Sequence, residues 1–277
     1  MLVAFLRRLL AAAFALALSG AAAAASVAFV TDVQGGAKRS GGGKVEFLSE
    51  VAEGATLVLD KGARVNLMYT ASGHEFALAG PGDFKVGAAE VVAGTGAAAP
   101  QRRTVSVRPA PAVVARVSQS ATASLRMRSV PPAGRKAGPE YPRGGSIATL
   151  HPAFRWAAQD GPGAYEISVR TAEGKELWTG VSESSPHRPP VALAAGSRYS
   201  WSVSKGARSL GEASFETMGP EVIARAEKSR AAAKTFSERV LHAIVLQDLG
   251  AAADAREAWA ELARERPELP ELAVLAK

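Results

Sequence analysis

Asp60-Lys61-Gly62-Ala63-Arg64-Val65-Asn66-Leu67-Met68-Tyr69-Thr70-Ala71-Ser72-Gly73-His74-Glu75-Phe76-Ala77-Leu78-Ala79-Gly80-Pro81-Gly82-Asp83-Phe84-Lys85-Val86 is the stretch on which the fold turns. Val65, Leu67 and Tyr69 point one way, with Arg64, Asn66 and Thr70 on the other side. That is the period of a strand, and the polar alternate positions predict a sheet with one wet face. Asp60-Lys61-Gly62-Ala63 predicts a hairpin turn, because glycine tolerates the positive φ that tight turns need. A second turn at Ser72-Gly73 leads to Phe76 and Leu78.

Working back toward the N-terminus, Val27, Phe29 and Thr31 alternate with Ala28, Val30 and Asp32, and glycines punctuate the chain at Gly35-Gly36, Gly41-Gly42-Gly43 and Gly54. Before Ser26 the pattern changes. Arg7 and Arg8 precede a ten-residue apolar run, Leu9–Leu18, then Ser19-Gly20 and an Ala23-Ala24-Ala25 cleavage pattern. These are the parts of a secretory signal, and they predict cleavage after Ala25 and a periplasmic or secreted mature protein. The apolar run is short of the roughly 20 residues a spanning helix needs, and no later segment is apolar enough to span a bilayer.

The chain has 277 residues, 47% of them hydrophobic and 21% charged, so most of it is expected to bury a core. It has no cysteine, which excludes disulfides, thiolate metal sites and a cysteine nucleophile. The formal charge is +7, and +5 once Arg7 and Arg8 leave with the leader. Residues 101–143 hold nine basic side chains against the single acid Glu140, a local +8, so the rest of the mature chain nets −3. The basicity belongs to one stretch. Within it Val105, Val107, Leu125 and Met127 predict strand pieces. Arg102, Arg103, Arg126 and Arg128 are then candidate contacts for an anionic envelope polymer, or simply a solvated basic face. Nucleic acid is not expected, since no Phe, Tyr or Trp lies between Phe84 and Tyr141 to stack on bases.

The turn and strand pattern above, ending in Gly80-Pro81-Gly82-Asp83-Phe84-Lys85-Val86, resembles a FecR-type domain over residues 27–90 or somewhat beyond. It departs from the family where Lys61 stands inserted before Gly62 and Ala63 replaces a serine. The resemblance implies a periplasmic all-β domain with a sensing, scaffold or partner-binding role, and it brings no catalytic residues. Further on, Pro152-Ala153-Phe154-Arg155-Trp156, the alternation Tyr165/Ile167/Val169, and the spacing Leu193, Gly196, Tyr199, Trp201, Val203 resemble a fibronectin type III-like sandwich. That resemblance implies core aromatics; a Trp156/Trp201 carbohydrate platform is the alternative. Ala243, Gly250, Ala255, Trp259 and Pro267 fall at spacings that resemble one tetratricopeptide repeat, with Arg239 where the repeat has an aromatic. A lone repeat cannot make a solenoid, so this hairpin must pack on the β units, dimerise or hold a partner. Gly219-Pro220-Glu221 predicts its first helix start and Ser237 a cap for the next helix.

The expected architecture is mainly β. It runs as a signal peptide over 1–25, a FecR-like β domain over 26–130, a Pro/Gly linker over 131–143, a small fibronectin III-like sandwich over 144–218, and a C-terminal α-helical hairpin over 219–277. No motif assembles a catalytic site or implies a cofactor. Gly94-Thr95-Gly96-Ala97-Ala98-Ala99 has dinucleotide-fingerprint letters, but Pro100 interrupts the helix that fingerprint must open. The four histidines, His74, His151, His187 and His242, share no metal-ligand spacing. Ser202-Val203-Ser204-Lys205 continues a strand rather than one helical turn. The expectation is a non-enzymatic binding, scaffold or sensing module whose partner is another envelope protein. The alternative is an envelope polysaccharide or polyanion-binding module using residues 101–143 or the sandwich aromatics. A third reading, a hydrolase assembled only in three dimensions, requires a deep acidic or His-lined pocket.

Overall fold

In a computed structural model of the chain, residues 26–126, 137–157 and 163–277 are described, with backbone alone for 122–126. The fold is mixed α/β, with several antiparallel sheets and a C-terminal cluster of helices. The leader and Met127–Lys136 lie outside the described residues, and with them the cleavage site, Arg128 and the first part of the expected linker.

The first β unit has nine strands: β1 Ser26–Gln34, β2 Ala37–Arg39, β3 Glu50–Ala52, β4 Thr56–Leu59, β5 Arg64–Tyr69, β6 His74–Ala79, β7 Gly82–Val86, β8 Val91–Ala93 and β9 Gln101–Thr104. They form two sheets, in the orders β3-β1-β5-β6-β9 and β2-β4-β7-β8. The inward residues Val30, Leu57, Leu59, Val65, Leu67, Leu78, Phe84 and Val86 meet between them in one buried cluster. The turn at Asp60–Ala63 forms as the glycine required: Gly62 has φ +80°, and the Ala63 amide donates to the Asp60 carbonyl at 3.0 Å. Gly80 is fixed by a close approach, since a Cβ there would lie 2.1 Å from the Asp60 carbonyl oxygen.

The expected wet face is wet only in part: Arg64 is exposed and Asn66 and Thr70 half-buried, but Met68 on the same face is buried. In β1 five consecutive residues, Ala28–Asp32, are buried, and Phe29 and Met68 on the outer face join a second core made with helices. Alternation records which residues share a face; it does not record what later covers that face.

The stretch after β9 is also corrected. Instead of a strand at Leu125 the chain forms helix α1, Pro111–Arg126, and Met127 lies outside the described residues. Among its described side chains Val113, Val114, Val117 and Ala121 are buried, at helical spacing, and Pro111 suits a first helical position. Only Val105 and Val107 of the expected apolar pieces precede it, and both are buried in the same helical core.

The second β unit holds β10 Gly138–Tyr141, β11 Ser146–Ile147, β12 Arg155–Ala157, β13 Tyr165–Thr171, β14 Glu176–Ser182, β15 Arg198–Lys205 and β16 Arg208–Thr217. Its main sheet runs β11-β16-β15-β13-β14. The end of the expected linker is itself a strand, with Pro139 paired to Trp156 and Tyr141 to Arg155. Trp156 and Trp201 are 2% and 1% exposed. Trp201 packs edge-on against Phe154 at 4.9 Å and donates to the Pro142 carbonyl at 2.7 Å. Neither tryptophan has a face left for a sugar.

Four helices follow: α2 Pro220–Ala232, α3 Phe236–Asp248, α4 Ala252–Glu265 and α5 Pro270–Leu275. Pro220 and Glu221 open α2 as their chemistry suggests. The cap of α3 is Thr235, not Ser237: Thr235 Oγ1 accepts from the Glu238 amide and the Glu238 carboxylate accepts from the Thr235 amide, a full capping box. Gly250, φ +76°, lies just past the end of α3. The antiparallel α3–α4 pair closes over Ala243 and Trp259, both fully buried. Helix α5, absent from the sequence expectation, adds Leu272 and Leu275 to the core that holds Phe29, Met68 and α1. The helices therefore lie against both β units. Among the described residues no helix is long and apolar enough to cross a membrane.

Candidate functional site

The helices are held to the first β unit by charge as well as by apolar contact. Glu75, on the outer face of β6, is 0% exposed. Its carboxylate accepts from Thr31 Oγ1 at 2.9 Å, from the Ser237 hydroxyl, and from the guanidinium of Arg103, its cross-strand partner on β9. Arg103 donates also to Thr235 Oγ1 at 3.0 Å and lies 3.7 Å from Glu238. The carboxylate thus sits beside the N-terminal turn of α3, where the helix dipole favours negative charge. Burial would raise the Glu238 carboxyl; the Thr235 and Lys234 amides and the Thr235 hydroxyl outweigh it and hold it below its usual value. A second clamp stands at the end of α4. Arg266 pairs with Asp32 at 2.7 Å, donates to the Val33 carbonyl at 2.9 Å and lies 4.9 Å over the Phe236 ring.

The second β unit is held by α4. Asp254 accepts from the Tyr141 hydroxyl at 2.6 Å and from the Ala148 amide at 2.6 Å. One turn on, Glu257 pairs with Arg155 of β12, which also reaches Glu140 at 3.0 Å. Loss of hydration pushes the Tyr141 hydroxyl well above its ordinary pKa, and the adjoining Asp254 charge adds to this. Asp254 itself is raised by the same loss of hydration, against the opposing pull of its two hydrogen bonds.

Between α2, α3, α4 and the segment after β10 lies a cavity of about 240 Å³. Ala226, Leu246, Ala258 and Leu262 give it an apolar floor. Arg230 enters from α2, Arg239 and His242 from α3, and Glu257 and Glu261 from α4. Perturbed titratable groups in a concave site mark a functional candidate. Burial, helped by the charge of Arg230, pushes His242 down to about 4, so its imidazole is neutral at pH 7. His242 Nδ1 is 2.9 Å from Ser229 Oγ. Ser229 is itself buried and is not part of the cavity wall. Among the described residues no group of three or more His, Asp or Glu is placed to hold a metal ion.

Of the four arginines singled out from the sequence, only Arg102 and Arg103 have described side chains. Arg102 is exposed on β9, while Arg103 is committed to Glu75. Arg126 ends α1, and its side chain lies outside the described residues, as does the whole of Arg128. The groups that do converge, Arg230, His242, Asp254 and Glu261, belong to the helices. The only sequence sign of them was polar residues recurring along helices whose buried faces could be read. No protein-family model matches the chain, and no curated protein matches it.

Proposed function

We propose that this chain is a non-enzymatic binding and scaffold module of the bacterial cell envelope, exported by its leader and engaging another envelope component. The resemblances to FecR-type, fibronectin type III-like and tetratricopeptide-like sequences agree with that role. One observation carries the reading: the charged groups are used to weld the β units and the helices around a preformed cleft. Glu75, Asp32, Asp254 and Glu257 are each engaged by residues of a different element. The hydrolase alternative gains a His- and acid-lined cavity but lacks a working pair. Ser229 is buried away from the cavity, and an imidazole pushed down to about 4 is a weak base at neutral pH. The polyanion alternative loses Arg103 to Glu75.

The test has two arms. Expressed with its leader, the protein should appear in the periplasmic fraction with Ser26 at its N-terminus; a cytoplasmic product with the leader intact overturns the envelope reading. In-cell cross-linking followed by a high-salt wash should retain one discrete envelope protein. Retention that disappears with salt, and with Arg102→Ala, Arg126→Ala and Arg128→Ala together, would move the assignment to an anionic polymer. Deleting the helices is not a usable control, because they supply core residues to both β units.

A further inference from the structure

We propose that the cleft between α2, α3 and α4 binds a small zwitterion of the α-amino acid class, with its carboxylate at Arg230 and its ammonium at Glu261. The inference rests on the reading of this chain as a binding module.

The volume sets the size. At about 30 Å³ per water, 240 Å³ holds roughly eight waters, the bulk of an amino acid or a very small peptide. The walls set the charge. Arg230 and Arg239 come from α2 and α3, Glu227 stands beside Arg230 on α2, and the facing acids Asp254, Glu257 and Glu261 come from α4. Much of this charge is already spent. Arg239 gives its terminal nitrogen to Glu265 at 2.7 Å, Glu257 goes to Arg155, and Asp254 goes to Tyr141 and Ala148. The side chains of Glu227, Arg230 and Glu261 have no hydrogen-bond or ion-pair partner among the described residues, and all three stand exposed at the mouth of the cavity.

A ligand therefore meets one unpaired cation, Arg230, and the unpaired acids Glu261 on the facing helix and Glu227 beside Arg230 on α2. A simple anion would face Glu227 and Glu261 unpaired, and a simple cation would face Arg230. An apolar ligand would strip water from both signs and return no partner to either. A molecule with one carboxylate, one ammonium and a short apolar body matches Arg230, Glu261 and the alanine-leucine floor together, with Glu227 left to solvent. Neutral His242 and Thr149 add hydrogen-bonding groups to the wall without adding charge. The Nε of Arg239, buried and without a protein partner, is a further donor on the cationic side.

The test is calorimetric titration of the purified protein with L-leucine, L-alanine, D-alanine, L-glutamate and L-lysine. N-acetyl-leucine lacks the ammonium and leucinamide lacks the carboxylate. At least one free amino acid should bind saturably, and both blocked leucines should bind at least tenfold more weakly than leucine. Arg230→Gln should weaken leucine at least tenfold and leave leucinamide unchanged; Glu261→Gln should weaken leucine and leave N-acetyl-leucine unchanged. Both changes are at exposed, unpaired side chains, so unaltered circular dichroism and Tm should accompany them. Equal binding of leucine and its blocked forms overturns the proposal, as does the absence of saturable heat across the panel. If the discrete envelope partner is still captured by a protein that binds no amino acid, the cleft assignment alone falls.

Discussion

The helical cluster meets the two β units through joints of different kinds. Its joint with the first unit is thick and apolar: Phe29, Phe47, Leu48 and Met68 pack with Val240, Leu241, Ile244, Leu262 and Leu272, and α1 closes one side. Its joint with the second unit is thin. Ala148 meets Ile223, Ala226, Leu246, Ala251 and Ala255, and Ala253 reaches into the sandwich core. Alanine buries little area, so the second joint depends more on Asp254, Glu257 and Arg155 for its geometry. The cleft opens beside this second joint. The first joint also has a hollow at its edge, between Val33–Gly35, Val45 and the Arg266, Glu268 and Leu269 side, but only the cleft beside the thin joint collects Arg230, His242 and Glu261.

The largest effect is expected where the thick joint hides a charge. Glu75→Ala would leave Arg103 without its carboxylate and Thr31 and Ser237 without their acceptor, a loss of about 3–5 kcal/mol in urea denaturation. Glu75→Leu with Arg103→Met removes both charges and should recover most of that loss. If Glu75→Ala costs less than the equivalent change in the thin joint, the contrast between the joints is wrong.

Acid should act first on the cleft. The unfolded imidazole takes its proton near 6.5 and folded His242 only at about 4. Its contribution is therefore whole above pH 6.5 and is lost as pH falls toward 4, about 3 kcal/mol at full extent. Asp254 acts in the opposite sense, because its raised carboxyl favours the fold as pH falls. The measurement is accordingly the difference between wild type and His242→Gln across pH 4–7. Parallel curves would remove His242 from the account.

Asp254→Ala breaks two hydrogen bonds at the thin joint and should cost about 1–3 kcal/mol. Its distinguishing sign is local: hydrogen exchange should rise around Tyr141–Ala148 while β5 and β6 stay protected. Equal loss of protection in both β units would show one cooperative core rather than two joints. Thr235→Ala removes a capping oxygen and one Arg103 contact, for about 1 kcal/mol, read as a shift in the urea midpoint.

What the sequence made legible was local. Gly62 and Gly73 marked the β4–β5 and β5–β6 turns, and the alternation around Val65 and Leu67 gave the inner face of the first unit. Gly250, Ala243 and Trp259 gave the helical pair. Helix α1 was missed because Val113-Val114-Ala115-Arg116-Val117 can satisfy either period over so short a run, and the neighbouring Val105 and Val107 favoured the strand. The cap was placed two residues late because Ser237 has cap chemistry too; its hydroxyl is instead drawn to Glu75. Nothing in the sequence singled out Glu75. Its partners lie 28, 44 and 162 residues away in sequence, and no window along the chain contains them. The cleft was illegible for the same reason, since its wall draws on three helices and the segment after β10.

The Arg266–Asp32 pair joins residues 234 positions apart, and this bears on the order in which the molecule can be made. The first β strand can pair with β3 and β5 early, but Phe29 and Met68 have only α1 and its neighbours against them, and their core is incomplete until residues 236–275 have been synthesised. Contacts of such separation slow folding, since loop closure must precede any gain from them. For that interval the nascent chain carries a half-finished sheet with an apolar back, the kind of surface that chaperones hold.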